Sequence, residues 1–218
     1  MSESLEKSAY PEVVPPSVQT AINSLPRSLI RLNERLKREL DKKLVYHCYF
    51  HTIDVLNESL RLANDGGLSE RDTELLTIAA LVHDAGFLSQ HYDNEHIGAR
   101  IAENAMAEAN EYSREEIELV SQMILDTKLV FEDCAQISKT RLSPYLLDAD
   151  LSNLGRKVFW IQTRAVASEL GVPFEKFVPV TGALMARHRW QSTAGIKLYD
   201  DQKVINLEEL NSLVSTEK

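Results

Sequence analysis

A chain of 218 residues, 44% apolar and 26% charged, is long enough to bury one sizeable core, and no Pro/Gly-rich linker divides its interior, so a single globular domain is expected. Its net charge of −9 argues against a broad nucleic-acid surface, which needs clustered Lys and Arg. Cys48 and Cys134 form no CxxC pair, the first residues lack the apolar core of a secretory signal, and the longest apolar runs fall far short of the ~20 residues of a membrane span. The expectation is a cytoplasmic protein with no membrane partner.

Residues 1–16 contain Pro11, Pro15 and Pro16 and are expected to form an extended arm ahead of a helical domain at 17–218. From Ser17 the apolar residues recur at spacings of three and four, as in Leu25, Leu29, Leu32, Leu36 and Leu40, and Pro26 either divides this stretch or opens its second helix. The next helix runs from about Tyr46 to Ala63 and stops at Asp65-Gly66-Gly67. Ser69 with Asp72 then forms a capping-box signal for a helix whose body, Leu75 to Val82, is apolar almost all round and so belongs at the centre of a bundle. His83 and Asp84 end it.

Further helices are expected from about Asp93 to Ala109, from the Ser113/Glu116 capping box to Lys128, and near 143–152, 154–170, 173–190 and 206–215, with a loop at 129–141. No strand pattern and no repeat interrupts this reading, so the fold class is an all-α bundle.

The chemistry concentrates in few residues. A carboxylate at the end of an apolar central helix costs several kcal/mol to bury unless something positive neutralises it, and a divalent cation would do so. Five of the six histidines, His47, His51, His83, His91 and His96, fall between residues 47 and 96. His47 and His51 are four apart and share one helix face, which lets one bind an ion while the other reaches a substrate. Such a nitrogen and oxygen ligand set suits Mn, Fe, Co, Zn, Ni or Mg rather than a thiolate-loving ion. The two Glu-x-x-His pairs of a ferritin-type di-iron bundle are absent, because Cys48 precedes His51 by three and Asp93 precedes His96 by three.

Three segments in order, Tyr46-His47-Cys48-Tyr49-Phe50-His51-Thr52-Ile53-Asp54-Val55, Ala80-Leu81-Val82-His83-Asp84-Ala85-Gly86 and Asp148-Ala149-Asp150-Leu151, resemble the HD-domain phosphohydrolase superfamily over about residues 44–160. The resemblance implies an HD-type helical bundle in which His51, His83, Asp84 and Asp150 ligate one divalent metal. Asp150 is preferred to Asp148, left as a supporting partner, because Ala149 to Asn153 resembles the ADLSN stretch of cyclic-nucleotide phosphodiesterases. In that branch the histidine matching His47 is the general acid, so His47 takes that role here and Asp84 orients or deprotonates the attacking water. The implied activity is metal-dependent hydrolysis of a small phosphate ester, with a nucleotide as one form of that substrate.

Departures from the family narrow this reading. Phe87 stands where many cyclic-dinucleotide-cleaving relatives carry lysine, and Phe87-Leu88-Ser89 lacks the acids of guanosine-tetraphosphate hydrolases, so neither substrate is transferred. Asn94 to Ala99 resembles the segment that supplies a further histidine in two-metal relatives, but Ile124 to Lys128 supplies none. One metal is therefore favoured, with His96 and Lys128 as candidates for phosphate contact. Arg187-His188-Arg189-Trp190 reads first as cations complementing a helix C-terminus; an arginine gripping phosphate and Trp190 stacking on a base is the sharper alternative. A di-iron oxygenase and a metal-retaining, non-catalytic binding module stand as the competing functions.

Overall fold

The computed structural model describes residues 9–10, 13–90, 92–129 and 136–216, and within them the chain is all helical, with ten α-helices and no strand. Pro16 stands at the first position of α1 (Pro16–Asn23), where its missing N–H costs nothing. Pro26 does not break α2 (Arg27–Glu39) but caps its start, and Leu29, Leu32 and Leu36 form its buried stripe. Gly67, at φ 65°, takes the left-handed conformation that closes α3 (Tyr49–Gly66).

The central helix is α4 (Glu70–Val82). Ser69 Oγ accepts from the Asp72 N–H at 3.1 Å to start it, and every residue from Leu75 to Val82 is buried. Each large aliphatic side chain removed from water there contributes about 1.5–3 kcal/mol, which fixes α4 in place at the centre of the bundle, against α3 above all. A short 3-10 turn, Ala85–Leu88, leads to α5 (Asn94–Ala109), entered through Asp93 at φ 58°. At Gly86 a Cβ would collide with the Asn94 backbone, so glycine lets the start of α5 lie directly on the end of the central helix. Both halves of the expected capping box are formed at α6 (Arg114–Asp126), which ends two residues before Lys128.

The second half is less local in origin. α7 (Ser143–Asp150) is tethered by Ser143 Oγ, which donates to Asp126 Oδ2 at 2.6 Å, and a 3-10 turn at Ser152–Gly155 separates it from α8 (Phe159–Glu169). α9 spans Phe174–Arg187, ending three residues earlier than expected. The last helix, α10 (Thr193–Thr216), starts thirteen residues before the expected 206. Its start is set from a distance: Asp148 accepts from the Gln191 and Ser192 N–H groups, each at 2.8 Å, and from Ser192 Oγ at 2.7 Å. Gly195 leaves space for that carboxylate.

Of the expected arm, Ala9, Tyr10 and residues 13–15 are described, and Tyr10 is buried against the domain. Residues 130–135 of the expected 129–141 loop, with Cys134, and also His91, lie outside the described residues. No helix among the described residues is long and apolar enough to cross a membrane.

Candidate metal centre

Three helix segments bring the four expected ligands together. His51 projects from the first turn of α3, His83 and Asp84 follow the last turn of α4, and Asp150 ends α7. His51 Nε2 and His83 Nε2 are 3.4 Å apart. Asp84 Oδ2 lies 3.1 Å from His83 Nε2 and 3.4 Å from His51 Nε2, and Asp150 Oδ1 lies 3.5 Å from His51 Nε2 and 3.7 Å from His83 Nε2. One ligand atom each from His51, His83 and Asp150 falls within a 4.8 Å group, and Asp84 joins it through its short distances to both imidazoles.

The outward nitrogens of both rings are already engaged. His83 Nδ1 lies 2.8 Å from the Ala80 carbonyl, which can only accept, so in the neutral ring Nδ1 carries the proton and Nε2 presents its lone pair to the cluster. His51 Nδ1 meets the Tyr10 hydroxyl at 3.0 Å. A histidine that ligates a metal donates its other N–H to a carbonyl, carboxylate or water in this manner. While His83 is neutral its one proton is committed to Ala80, and Asp84 Oδ2 is then a buried carboxylate oxygen without a hydrogen-bond donor. Two lone pairs and two carboxylates aimed at one another repel unless positive charge stands between them, so the residues present fit a divalent cation.

The protonation equilibria carry the same sign. Burial works against charge on His83, yet the Asp84 and Asp150 carboxylates overcome it and push its pKa up to about 9. Burial likewise opposes ionisation of Asp84, and the imidazoles of His83, His47 and His51 hold it well below the usual carboxylate range. With no cation bound, a proton on His83 answers the two carboxylates.

Three partners of the cluster had no sequence signal. Gln136 donates to Asp150 Oδ2 and to the Thr127 carbonyl, both at 2.7 Å, so it ties Asp150 to the end of α6. Asp148, expected as the supporting partner, instead holds the start of α10; Gln191, whose N–H it accepts, donates its side chain to the Gln136 carbonyl at 3.0 Å. Glu169, the last residue of α8, bonds His47 Nδ1 with Oε1, while its Oε2 accepts from the N–H groups of Tyr46 at 2.8 Å and His47 at 3.1 Å. Tyr10 is the third.

His47 sits at the rim. Its side chain is 28% exposed, its ring stacks on Phe87 at 4.6 Å, and its centroid is 5.8 Å from that of His51. Burial would strip its proton, but the Glu169 carboxylate prevails and raises its pKa. His96 and Lys128 are not in the cluster: both are more than half exposed and converge on Asp93, at 3.8 and 3.1 Å.

Within the 187–190 cluster, Arg189 and Trp190 are engaged by the protein itself. Arg189 Nη1 donates to the Ala186 and His188 carbonyls at 2.9 and 2.8 Å, satisfying the C-terminal end of α9. Trp190 is only 7% exposed and packs against His188 and Tyr199, so its faces are taken and it offers no platform for a base.

No family model matches the chain, and neither does any curated protein. Solved structures do resemble it, among them the crystal structure of a protein from Lactobacillus plantarum determined as a structural-genomics target. The two superpose with a TM-score of 0.60 at 14% identity, over 94% of this chain and 98% of that one. At this identity the likeness speaks to the fold alone.

Proposed function

We propose that this chain is a metal-dependent phosphohydrolase of HD type, acting on a small phosphate ester. The observation that carries the reading is the convergence of His51, His83, Asp84 and Asp150 from three helices, with the outward nitrogen of each ring engaged and, among the described residues, no guanidinium or ammonium at the four ligand atoms. The resemblance of the His, His-Asp, Asp order to that superfamily points the same way.

A divalent cation bound by these four groups supplies charge that polarises a phosphoryl oxygen and acidifies water, from a pKa of 15.7 to about 7 in the best zinc case. The chain supplies the rest. Asp84, adjacent to both imidazoles yet without a donor on Oδ2, is placed to accept a proton from the attacking water or to orient it. His47, its pKa raised by Glu169 and its ring partly open to solvent, is proposed to give its Nε2 proton to the departing oxygen. Phe87 holds the imidazole plane, and the Glu169 bond at Nδ1 leaves Nε2 for the substrate side.

The test is metal analysis of the purified protein, followed by hydrolysis of aryl phosphates, nucleotides and sugar phosphates with Mn, Co, Ni, Mg or Zn added. Turnover that needs an added or bound ion and disappears in His83→Ala supports the proposal. Tight metal binding with no turnover on any ester favours the non-catalytic module, and two irons per chain with oxygen consumption favours the oxygenase.

A further inference from the structure

Among the described residues ahead of α1, Tyr10 reaches the candidate metal centre. Tyr10 is 3% exposed, and its hydroxyl lies 3.0 Å from Nδ1 of His51, forty-one positions further on. Its ring centroid is 5.7 Å from that of His51 and 6.0 Å from that of Tyr46, which itself sits 4.7 Å from His51, so two tyrosines wall this imidazole. The amide of Gln162 ties the same segment to α3, at 3.4 Å from the Ala9 carbonyl and 3.3 Å from Asp54 Oδ2.

The two ligand histidines are therefore held by different kinds of partner. Ala80 offers His83 a carbonyl, which accepts and nothing else. Tyr10 offers His51 a phenol, which can accept a proton from Nδ1 or donate one to it. When the phenol donates, the single proton of the neutral ring sits on Nε2 and points at Asp84 and Asp150, closing the site to a cation. When the phenol oxygen accepts, Nδ1 keeps the proton and the Nε2 lone pair is free.

Resting on the metal-centre reading above, we propose that Tyr10 is a positioning residue of the centre: its phenolic oxygen accepts the Nδ1–H of His51 when a cation is bound, and so selects the tautomer that ligates. Cation affinity and seating of residues 9–10 are then two sides of one equilibrium. Whatever free energy Tyr10 adds to binding, the cation returns to the seating of this segment.

The experiment compares the full-length wild type with Tyr10→Phe, which keeps the ring and removes the hydroxyl. Both are stripped with chelator and titrated calorimetrically with Zn²⁺ and Co²⁺, and the melting temperature of each metal-free protein is recorded. Loss of an outer hydrogen bond to a ligating histidine weakens metal binding by about 10–100-fold, and that loss with an unchanged metal-free melting temperature is the expected result. Equal affinities, with or without a lower melting temperature, overturn the role of Tyr10 and leave the metal centre standing. A wild type that binds neither ion overturns both. A second measurement needs no variant: amide hydrogen exchange at Ala9 and Tyr10 of the wild type should slow when Zn²⁺ is added, and unchanged exchange overturns the linkage.

Discussion

Helix α3 carries two buried polar clusters within two turns of each other, and they are neutralised in opposite ways. Asp54 and Glu58 face Arg156, whose guanidinium forks over both Asp54 oxygens and lies 3.4 Å from Glu58 Oε1. Arg61 and the Tyr199 hydroxyl complete Glu58 at 2.5 and 2.6 Å. Three residues before Asp54, His51 meets Asp84 and Asp150, whose ion-pair partners among the described residues are imidazoles. The first cluster holds a permanent cation and ties α3 to the segment before α8. The second holds only groups that can surrender their protons, which is what a site needs if something else is to take their place.

That contrast breaks most visibly in activity. Asp84→Asn in the metal-loaded protein should lower phosphoester turnover by about 10²–10⁴-fold, the usual contribution of a proton-transferring side chain. In the metal-free protein the same change removes the carboxylate that does most to raise the His83 pKa, so stability should fall and its decline between about pH 6.5 and about pH 9 should flatten. Turnover assays beside urea unfolding in chelator across that range check both halves. Turnover retained in the metal-loaded variant would remove Asp84 from the chemistry and erase the distinction.

The mirror experiment is Arg156→Met. Removing the cation strands Asp54 and Glu58 in the interior, and breaking a buried pair from one side costs about 3–5 kcal/mol. Urea unfolding should show that loss with or without metal. A cost below about 1 kcal/mol would mean these carboxylates have other means of neutralisation.

Metal binding sharpens the comparison at smaller amplitude. At a hundred times its Kd an ion adds about 2.7 kcal/mol of stability, and a chain of this size gains roughly 2–4 °C in Tm per kcal/mol. The pH dependence has a defined sign. The raised pKa of His83 in the metal-free protein contributes stability that is complete below its unfolded pKa of about 6.5 and is lost as pH rises through about 9. Because the ion must displace that proton, the Zn²⁺-induced rise in Tm should grow over this same window, and a rise independent of pH would place binding elsewhere.

The two regions also differ in what the sequence discloses. His83 and Asp84 stand out because an imidazole and an acid at the end of an apolar helix are costly and uncommon, while His51 and Asp150 are picked out by the resemblance of the His, His-Asp, Asp order to the HD-domain superfamily. Helix ends with local causes are equally plain, as at Gly67 and the Ser113/Glu116 box. The start of α10 is not, since it depends on Asp148, whose bonds to Gln191 and Ser192 span 43 and 44 positions, and on Gly195 admitting that carboxylate. Tyr10 and Glu169 are silent for the same reason: their partners His51 and His47 lie 41 and 122 positions away, and nothing in an isolated Tyr or Glu announces such a contact. Gln136 is nearer to Asp150, at 14 positions, but a glutamine in a loop carries no pattern of its own.

The smallest effect tests the rim of the site. Glu169→Gln keeps a carbonyl that can still accept from the Tyr46 and His47 N–H groups, so the turn into α3 should survive. What disappears is the negative charge that overcomes burial and keeps the His47 proton in place. As a general acid His47 works only while protonated, so activity falls as pH rises through its pKa. With the carboxylate gone that pKa drops, and the alkaline limb of the rate profile should move to lower pH while the rate on its acid side changes only several-fold. His47→Gln should abolish the limb and lower the rate by about 10²-fold or more. An alkaline limb that stays in place in Glu169→Gln would show that Glu169 serves the backbone alone, and the structural role of the Asp54–Arg156 network would then extend to this acid as well.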